Sequence, residues 1–373
     1  MNKSIHFSGQ PTFCQLINLI PKEIIANAAN EFQSDRYYKK FNTFHHLVTV
    51  LFSCFGNCSS LREVVTGMGA MEGKLASSGI RHLPTRSTLA DANAKRSSDV
   101  FERIYLALRE HFQRLFPDSP NSQEQLYILD SSVITLFQEI FKGSGSSCSD
   151  GRRKGGLKVH MAVPVYEQTP VVMHIGDGAD NDLVFHKYLT LPPGSTAIFD
   201  RGYRSYPQFN FWTDMDIRWI TRLNERSHFI VLEEKTIVKK QKKAGIQKDI
   251  VVILGFPQSK TQQVNARIIH YKDPHKGRHL KFLTNDMTSE PNKIAELYAK
   301  RWNIELLFKR LKQNMPLQYF LGDNKNAIRI QIWCALIADL LLNLVRKHVK
   351  RKWAFSSIAN LVRLHLFNYM NLF

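Results

Sequence analysis

Over the first third of the chain, apolar side chains recur at intervals of three and four. Phe13, Leu16, Ile17, Leu19 and Ile20 form one set, Phe44, Leu47, Val48, Leu51, Phe52 and Phe55 a second, and a third begins at Ser60. That spacing gathers them on one stripe of a 3.6-residue helix, so residues from about 13 to 115 are predicted to be helical. Gly67, Gly69, Gly73 and Gly79 interrupt the pattern. A further single helix is predicted from about Ser87 to Phe116, capped by Ser87 or Thr88, with Phe101, Ile104, Leu108, Phe112 and Leu115 on one face. Pro117, Asp118, Ser119 and Pro120 then close this module as a short linker.

Beyond the linker the period changes. Leu126 to Val133, Lys158 to Val165, Val171 to Ile175, Thr196 to Phe199 and Ile217 to Thr221 are short apolar runs bounded by turn residues, the pattern of strands. A Gly- and Ser-rich connection from Gly143 to Gly156, carrying Arg152, Arg153 and Lys154, separates the first two. Strands followed by strand and helix units predict an α/β fold, a mixed sheet with helices on its faces. From Lys235 to Lys281, β-branched residues alternate with basic ones, twelve Lys or Arg against Asp249 and Asp273, which predicts extra strands inserted in the sheet domain. Helices return from about Glu290 to Lys312 and from about Asn326 to Val349. The longest apolar stretch, Ile330 to Val345, is short of a membrane span and carries Asp339, so it is predicted to be a buried helix.

Charge narrows the function. The 51 Lys and Arg against 32 Asp and Glu leave a formal net charge of +19, more than solubility requires, and point to a polyanionic partner, nucleic acid before a membrane surface. The five cysteines, Cys14, Cys54, Cys58, Cys148 and Cys334, form no paired framework, which fits a reducing cytoplasm. Cys54 and Cys58, near His45 and His46, lack the further ligands of a zinc site and are expected to be buried structural thiols. No apolar run follows the charge at the amino terminus, so no signal peptide is expected.

Asp130 follows the apolar run YIL, and Asp200 follows AIF, which places each at the carboxyl end of a buried strand, where a mixed sheet opens to ligands. Either acid alone reads as a cap or turn residue. Tyr298, Arg301, Glu305 and Lys312 are spaced by three, four and seven on a predicted helix and share one stripe, beside an apolar face of Ile294, Leu297, Ile304, Leu307, Phe308 and Leu311. In isolation, Arg301 and Glu305 read as an ordinary surface pair. Asp180 and Asp182, in GADND, compete with Asp200 as acids near the same sheet end.

The set Tyr298, Arg301, Glu305, Lys312 resembles the Y-(2)-R-(3)-E-(6)-K signature of the insertion sequence four family of bacterial and archaeal DDE transposases. FDRGY, with Asp200, Gly202 and Tyr203, resembles that family's second acidic motif, LDSS at Asp130 its first, and GLKVHMAV around Lys158 and His160 its second strand. The resemblance covers roughly residues 125 to 345. It implies a ribonuclease-H-like mixed sheet with flanking helices and a β-rich insertion between the second Asp and the Glu. The gap of 105 residues between Asp200 and Glu305, which contains the basic Val- and Ile-rich segment, agrees with that insertion.

The resemblance also implies a catalytic and metal-binding triad of Asp130, Asp200 and Glu305 with two Mg²⁺ ions, for which Mn²⁺ can substitute. The chemistry agrees. A phosphodiester's own charge repels a nucleophile, and two divalent ions roughly 4 Å apart relieve that repulsion while activating the attacking oxygen and stabilising the leaving one. Hard Mg²⁺ takes carboxylate oxygens and retains waters. Arg301 and Lys312 are expected to contact DNA phosphates and Tyr298 to donate its hydroxyl there. Lys158, His160, Arg201, Tyr203 and the Lys239, Lys240, Lys242, Lys243 cluster complete the expected DNA-binding set. Trp212, Trp219 and Trp302 are expected to pack in the core.

The expected domains are a helical N-terminal domain over 1–120, a catalytic core over 121–230, a basic β-strand insertion over 231–285, and the rest of the core with C-terminal helices over 286–373. Arg62, Arg81, Arg86 and Arg96 suit the first to reading element ends, with dimerisation or packing as its other reading. The function so implied is cut-and-paste transposition in the cytoplasm, at the nucleoid, by a homodimer on transposon-end and target DNA, with no membrane partner. A ribonuclease-H-like nuclease without strand transfer, or an inactive repressor derived from a transposase, are the rival readings.

Overall fold

The computed structural model describes residues 9–115, 125–135, 156–167, 169–178, 180–256, 263–274, 277–370 and 372. The Pro117 to Pro120 linker, Cys148 and most of the Gly143 to Gly156 connection lie outside them. Two compact units divide the chain: residues 1–117, 134–156 and 308–373 make one, and residues 118–133 and 157–307 the other.

The first unit is helical. α1 (Thr12–Asn18), α2 (Lys22–Glu31), α3 (Thr43–Gly56), α4 (Leu61–Gly69), α5 (Arg86–Lys95) and α6 (Asp99–Leu115) come from the N-terminal third, and α11 (Lys325–His348) and α12 (Phe355–Leu364) from the C-terminus. Side-chain caps set several of the starts, because the first amides of a helix lack intrahelical partners. Asn42 accepts from His45 N, Ser60 from Glu63 N, and Asn324 from Ala327 N. α11 is long and apolar enough to cross a membrane, but 89% of that stretch is buried inside the protein. Asp339, buried on it, is held bidentately by Arg310 at 2.7 and 2.8 Å. Cys14, Cys54, Cys58 and Cys334 are buried free thiols.

The single helix predicted from Ser87 to Phe116 is two, α5 and α6, broken at Arg96, whose backbone is extended. Tertiary partners make the break. Arg96 is buried, donates to Phe41 O at 2.9 Å and lies 4.7 Å over the Tyr38 ring, while Asn326 Nδ2 donates to the carbonyls of Asn93 and Arg96. Thr85, rather than Ser87 or Thr88, caps α5. On α6, Phe101, Ile104, Leu108 and Phe112 are buried as predicted, and Leu115, the last residue of the helix, is exposed.

The second unit is built on a nine-stranded mixed sheet in the order β3-β2-β1-β4-β5-β9-β8-β7-β6. Its strands are β1 (Leu126–Thr135), β2 (Gly156–Pro164), β3 (Val172–Asp177), β4 (Thr196–Phe199), β5 (Arg218–Arg222), β6 (Phe229–Glu234), β7 (Ile246–Leu254), β8 (Val264–Lys272) and β9 (His279–Thr284). β1 and β4 are parallel, as are β4 and β5, and from β5 through β9, β8, β7 and β6 every pairing is antiparallel. The basic, Val- and Ile-rich segment therefore extends the same sheet. Its lysine cluster departs from the predicted strands, since Lys239–Lys243 form the short helix α8. Gly245 follows at φ +99°, where a Cβ would run into the Lys272 carbonyl, so this turn requires glycine. α7 (Tyr206–Asp214) packs Phe209 on Trp219 with ring centroids 4.1 Å apart, and Phe199, Trp212 and Phe185 fill the same core.

Candidate active site

Strand register assembles the site. β1 pairs with β4 through Leu129↔Phe199, and β4 with β5 through Ile198↔Ile220. Continuing both registers sets Asp130, Asp200 and Arg222 side by side on neighbouring parallel strands, which lie about 4.8 Å apart. β1 runs on to Thr135, so Asp130 stands where pairing to β4 stops and not, as expected, at the end of its strand.

The third carboxylate arrives from a bent helix. The helix predicted from Glu290 to Lys312 is two, α9 (Pro291–Ala299) and α10 (Trp302–Asn314). At their joint the amide bonds tighten to three-residue steps, with Arg301 N donating to Tyr298 O at 3.0 Å and Ile304 N to Arg301 O at 3.3 Å. Arg301 occupies the corner. Its Nη1 donates to Asp130 Oδ2 at 3.1 Å and its Nη2 to Glu305 Oε1 at 2.5 Å. Arg222 Nη2 donates to Asp200 Oδ1 at 2.8 Å. Three carboxylates thus share two guanidinium groups, and one negative charge is in excess.

That excess and burial act on Asp130. Burial pushes its carboxyl up to about 6, with the Glu305 and Asp200 charges adding to the effect and the Ser131 amide and Arg301 opposing it. Burial pushes Asp200 the same way, but its hydrogen bond from Arg222 and the Arg201 amide hold it below its ordinary value. An all-oxygen donor set with surplus negative charge fits a hard divalent cation. With the side chains as they stand, no three His, Cys, Asp or Glu among the described residues are arranged to hold one ion, since Arg301 and Arg222 draw the carboxylates to themselves.

The other expected site residues divide. Arg201, Lys239, Lys240, Lys242, Lys243 and Lys312 are exposed, with Lys312 in the last turn of α10. Tyr298 is buried, its ring centroid 5.1 Å from that of Phe282. His160 and Tyr203 are buried and bonded to each other, His160 Nδ1 to Tyr203 OH at 2.9 Å, and present no surface to DNA in this conformation. Burial lowers His160 to about 4 despite the nearby Asp182 charge, which keeps it neutral. Lys158 is turned to Asp182, 2.8 Å away. Trp212 and Trp219 are core residues as expected, whereas Trp302, beside Arg301, is 56% exposed. Among the N-terminal arginines, Arg96 is structural, while Arg62 and Arg86 line one cleft with Asp323 and Asn324.

Sequence reasoning missed Arg222 and Ser131. Ser131 lies within LDSS, but nothing local shows that its hydroxyl meets Asp182, and only strand register brings Arg222 beside Asp200.

The model of the transposase DDE domain matches residues 121–341, and a domain of unknown function matches residues 8–81. A putative transposase, y4zB, of Sinorhizobium fredii is 30% identical over 265 residues, 71% of this chain and 72% of that protein. A putative transposase for insertion sequence element IS4SA of Synechocystis is 27% identical over 267 residues, 69% of this chain and 71% of that protein. A cryo-EM structure of the piggyBac transposase synaptic complex with hairpin DNA aligns over 97% of this chain and 78% of that one, at a TM-score of 0.42 and 8% identity, too distant to carry an argument. DDE transposase domains use divalent metal ions, the cation class that the carboxylate cluster fits. With that domain spanning more than half of its length, the chain belongs to the DDE transposases and is a DNA transposase related to those of bacterial insertion sequences.

Proposed function

We propose that this transposase cuts DNA at the ends of its element and joins the freed ends to target DNA, with Asp130, Asp200 and Glu305 holding two Mg²⁺ ions that Mn²⁺ can replace. One observation carries the reading: adjacent parallel strands bring Asp130 beside Asp200, while Arg301 ties Asp130 to Glu305 from the helix corner. The bound ions supply charge neutralisation at the phosphodiester and activation of the attacking oxygen. The chain's own groups bind and orient. Arg301, released from the carboxylates, is a bidentate donor for a phosphate beside the scissile one, and Arg222 keeps Asp200 ionised and aimed. Lys312, Arg201 and the α8 lysines are exposed cations suited to backbone phosphates.

In this reading the sheet is a ribonuclease-H-like core, and the strands after β5 are its β-rich insertion. The helical N-terminal domain reads the element ends, and two copies act on the paired ends in the cytoplasm, at the nucleoid. The test is incubation of the full chain with end DNA, a target plasmid and Mg²⁺, wild type against Glu305→Gln. Loss of both cleavage and joining with DNA binding retained is the expected result. Retention of both overturns the metal-site reading, and cleavage by the wild type without any joined product overturns strand transfer.

A further inference from the structure

Asp182, the sequence competitor of Asp200, has a different place in the fold. It opens the 3-10 turn Asp182–Tyr188, with the preceding Asn181 as cap, accepting from Leu183 N at 3.1 Å. Asp180 closes the loop before it. Its Oδ2 accepts from Asp177 N at 2.7 Å, and it stands where a Cβ on Gly176 would be. The loop delivers the Asp182 carboxylate to a point where three chain segments meet. Oδ1 accepts from Ser131 Oγ at 3.0 Å, on β1, and lies 2.8 Å from Lys158 Nζ, on β2. Oδ2 rests on Gly202, in the segment that follows β4, so closely that a Cβ there would overlap it and would also lie 3.3 Å from Cγ. Lys158 Nζ additionally donates to Asp180 O at 3.0 Å, and the His160 to Tyr203 bond ties β2 to the residue after Gly202.

Ser131 is the neighbour of Asp130, and Gly202 is two residues beyond Asp200. We propose that Asp182 is a positioning residue that clamps the Asp130 and Asp200 segments against each other, and that Gly202 lacks a side chain because the Asp182 carboxylate occupies that space. The proposal rests on the reading of Asp130, Asp200 and Glu305 as the ion-holding set. A carboxylate that holds the residues just after two ligands acts as outer-shell partners do, and loss of such a partner typically costs about 10- to 100-fold in metal affinity.

The test is Mn²⁺ affinity of the full chain, read by electron paramagnetic resonance without DNA, alongside a thermal melt for each variant. Asp130→Asn, the control for the ion-holding reading, should abolish tight binding. Asp182→Ala should weaken binding about 10- to 100-fold with the melt preserved. Asp182→Asn keeps an oxygen for Ser131 and Lys158 and should recover most of the affinity. Ser131→Ala, which removes one hydroxyl and leaves the strand intact, should weaken binding severalfold and keeps the test valid if Asp182→Ala does not fold. Gly202→Ala should match Asp182→Ala. The double variant should be no weaker than either single one, because the two remove the same contact. Unchanged affinity in both Asp182→Ala and Ser131→Ala, or losses that add in the double variant, overturns the clamp. Unchanged affinity in Asp130→Asn overturns the ion-holding reading and the clamp with it.

Discussion

Two arginines in the sheet unit hold carboxylates in opposite ways. Arg267 grips Asp249 with two bonds, at 2.8 and 2.6 Å, and directs its remaining nitrogen to the carbonyls of Asp286 and Ser289, at 3.1 and 2.7 Å. Both side chains are at most 5% exposed, one charge answers one charge, and every guanidinium nitrogen is used. Arg301 is 17% exposed and divides itself between Asp130 and Glu305, one bond to each. The first arrangement is closed and has nothing left to bind. The second leaves one carboxylate charge without a guanidinium of its own, and burial, with the Glu305 and Asp200 charges adding to it, pushes the Asp130 carboxyl up to about 6. A buried pair with satisfied geometry is structural, whereas a cluster with an excess acid suits the cation-holding role proposed above.

The largest effect expected on this contrast is catalytic. Asp200→Asn should lower cleavage on the order of a thousandfold or more in a Mg²⁺ end-cleavage assay, since it removes several kcal/mol of transition-state stabilisation. Asp249→Asn, measured where it remains folded, should leave the rate per folded molecule near wild type. An equal loss in both would erase the distinction.

Next comes stability. Arg267→Ala strands a buried carboxylate and should cost about 3–5 kcal/mol in urea unfolding. A smaller loss than that from Arg301→Ala would invert the comparison.

Asp130→Asn should instead stabilise the metal-free protein in chelator, by about 1–3 kcal/mol at pH 7.5. The sign follows from a carboxyl raised from 3.8 to about 6. Between those values the folded state keeps a proton that the unfolded chain has lost, so its stability is complete below the lower value and falls as pH rises through the upper one. The gap between variant and wild type should therefore narrow from pH 7.5 to pH 5. A gap that widens over that range contradicts the assignment.

The smallest effect concerns the α8 lysines, which touch neither site. Replacing Lys239, Lys240, Lys242 and Lys243 with Ala should leave stability unchanged and flatten the salt dependence of DNA binding, by about one unit of slope for each of these lysines that meets a phosphate. An unaltered slope removes that helix from the DNA-binding surface.

Much of this was legible along the chain. β4 runs from Thr196 to Phe199 as its apolar run predicts, β1 starts at Leu126, and Ser60 is the cap of α4, one residue before its first turn. Arg301 and Glu305 do pair, as their spacing taken in isolation suggested, although Arg301 was expected at DNA phosphates. What escaped were long-range effects. The breaks at Arg96 and Arg301 interrupt segments whose local periodicity is unbroken, and at Arg96 the partners come from residues as distant as Phe41 and Asn326. His160 and Lys158, expected at DNA, share a strand face that meets Asp182 and Tyr203.

By itself the sequence determined most element types and the kinship of the chain, because periodicity and motif spacing are local properties of the chain. Only the tertiary structure decided which strands became neighbours. It therefore decided that Arg222 stands beside Asp200, that Arg301 holds two acids, and that Asp182 fills the space left by Gly202. Those contacts depend on register between segments dozens of residues apart, and a one-residue slip would turn each side chain to the opposite face.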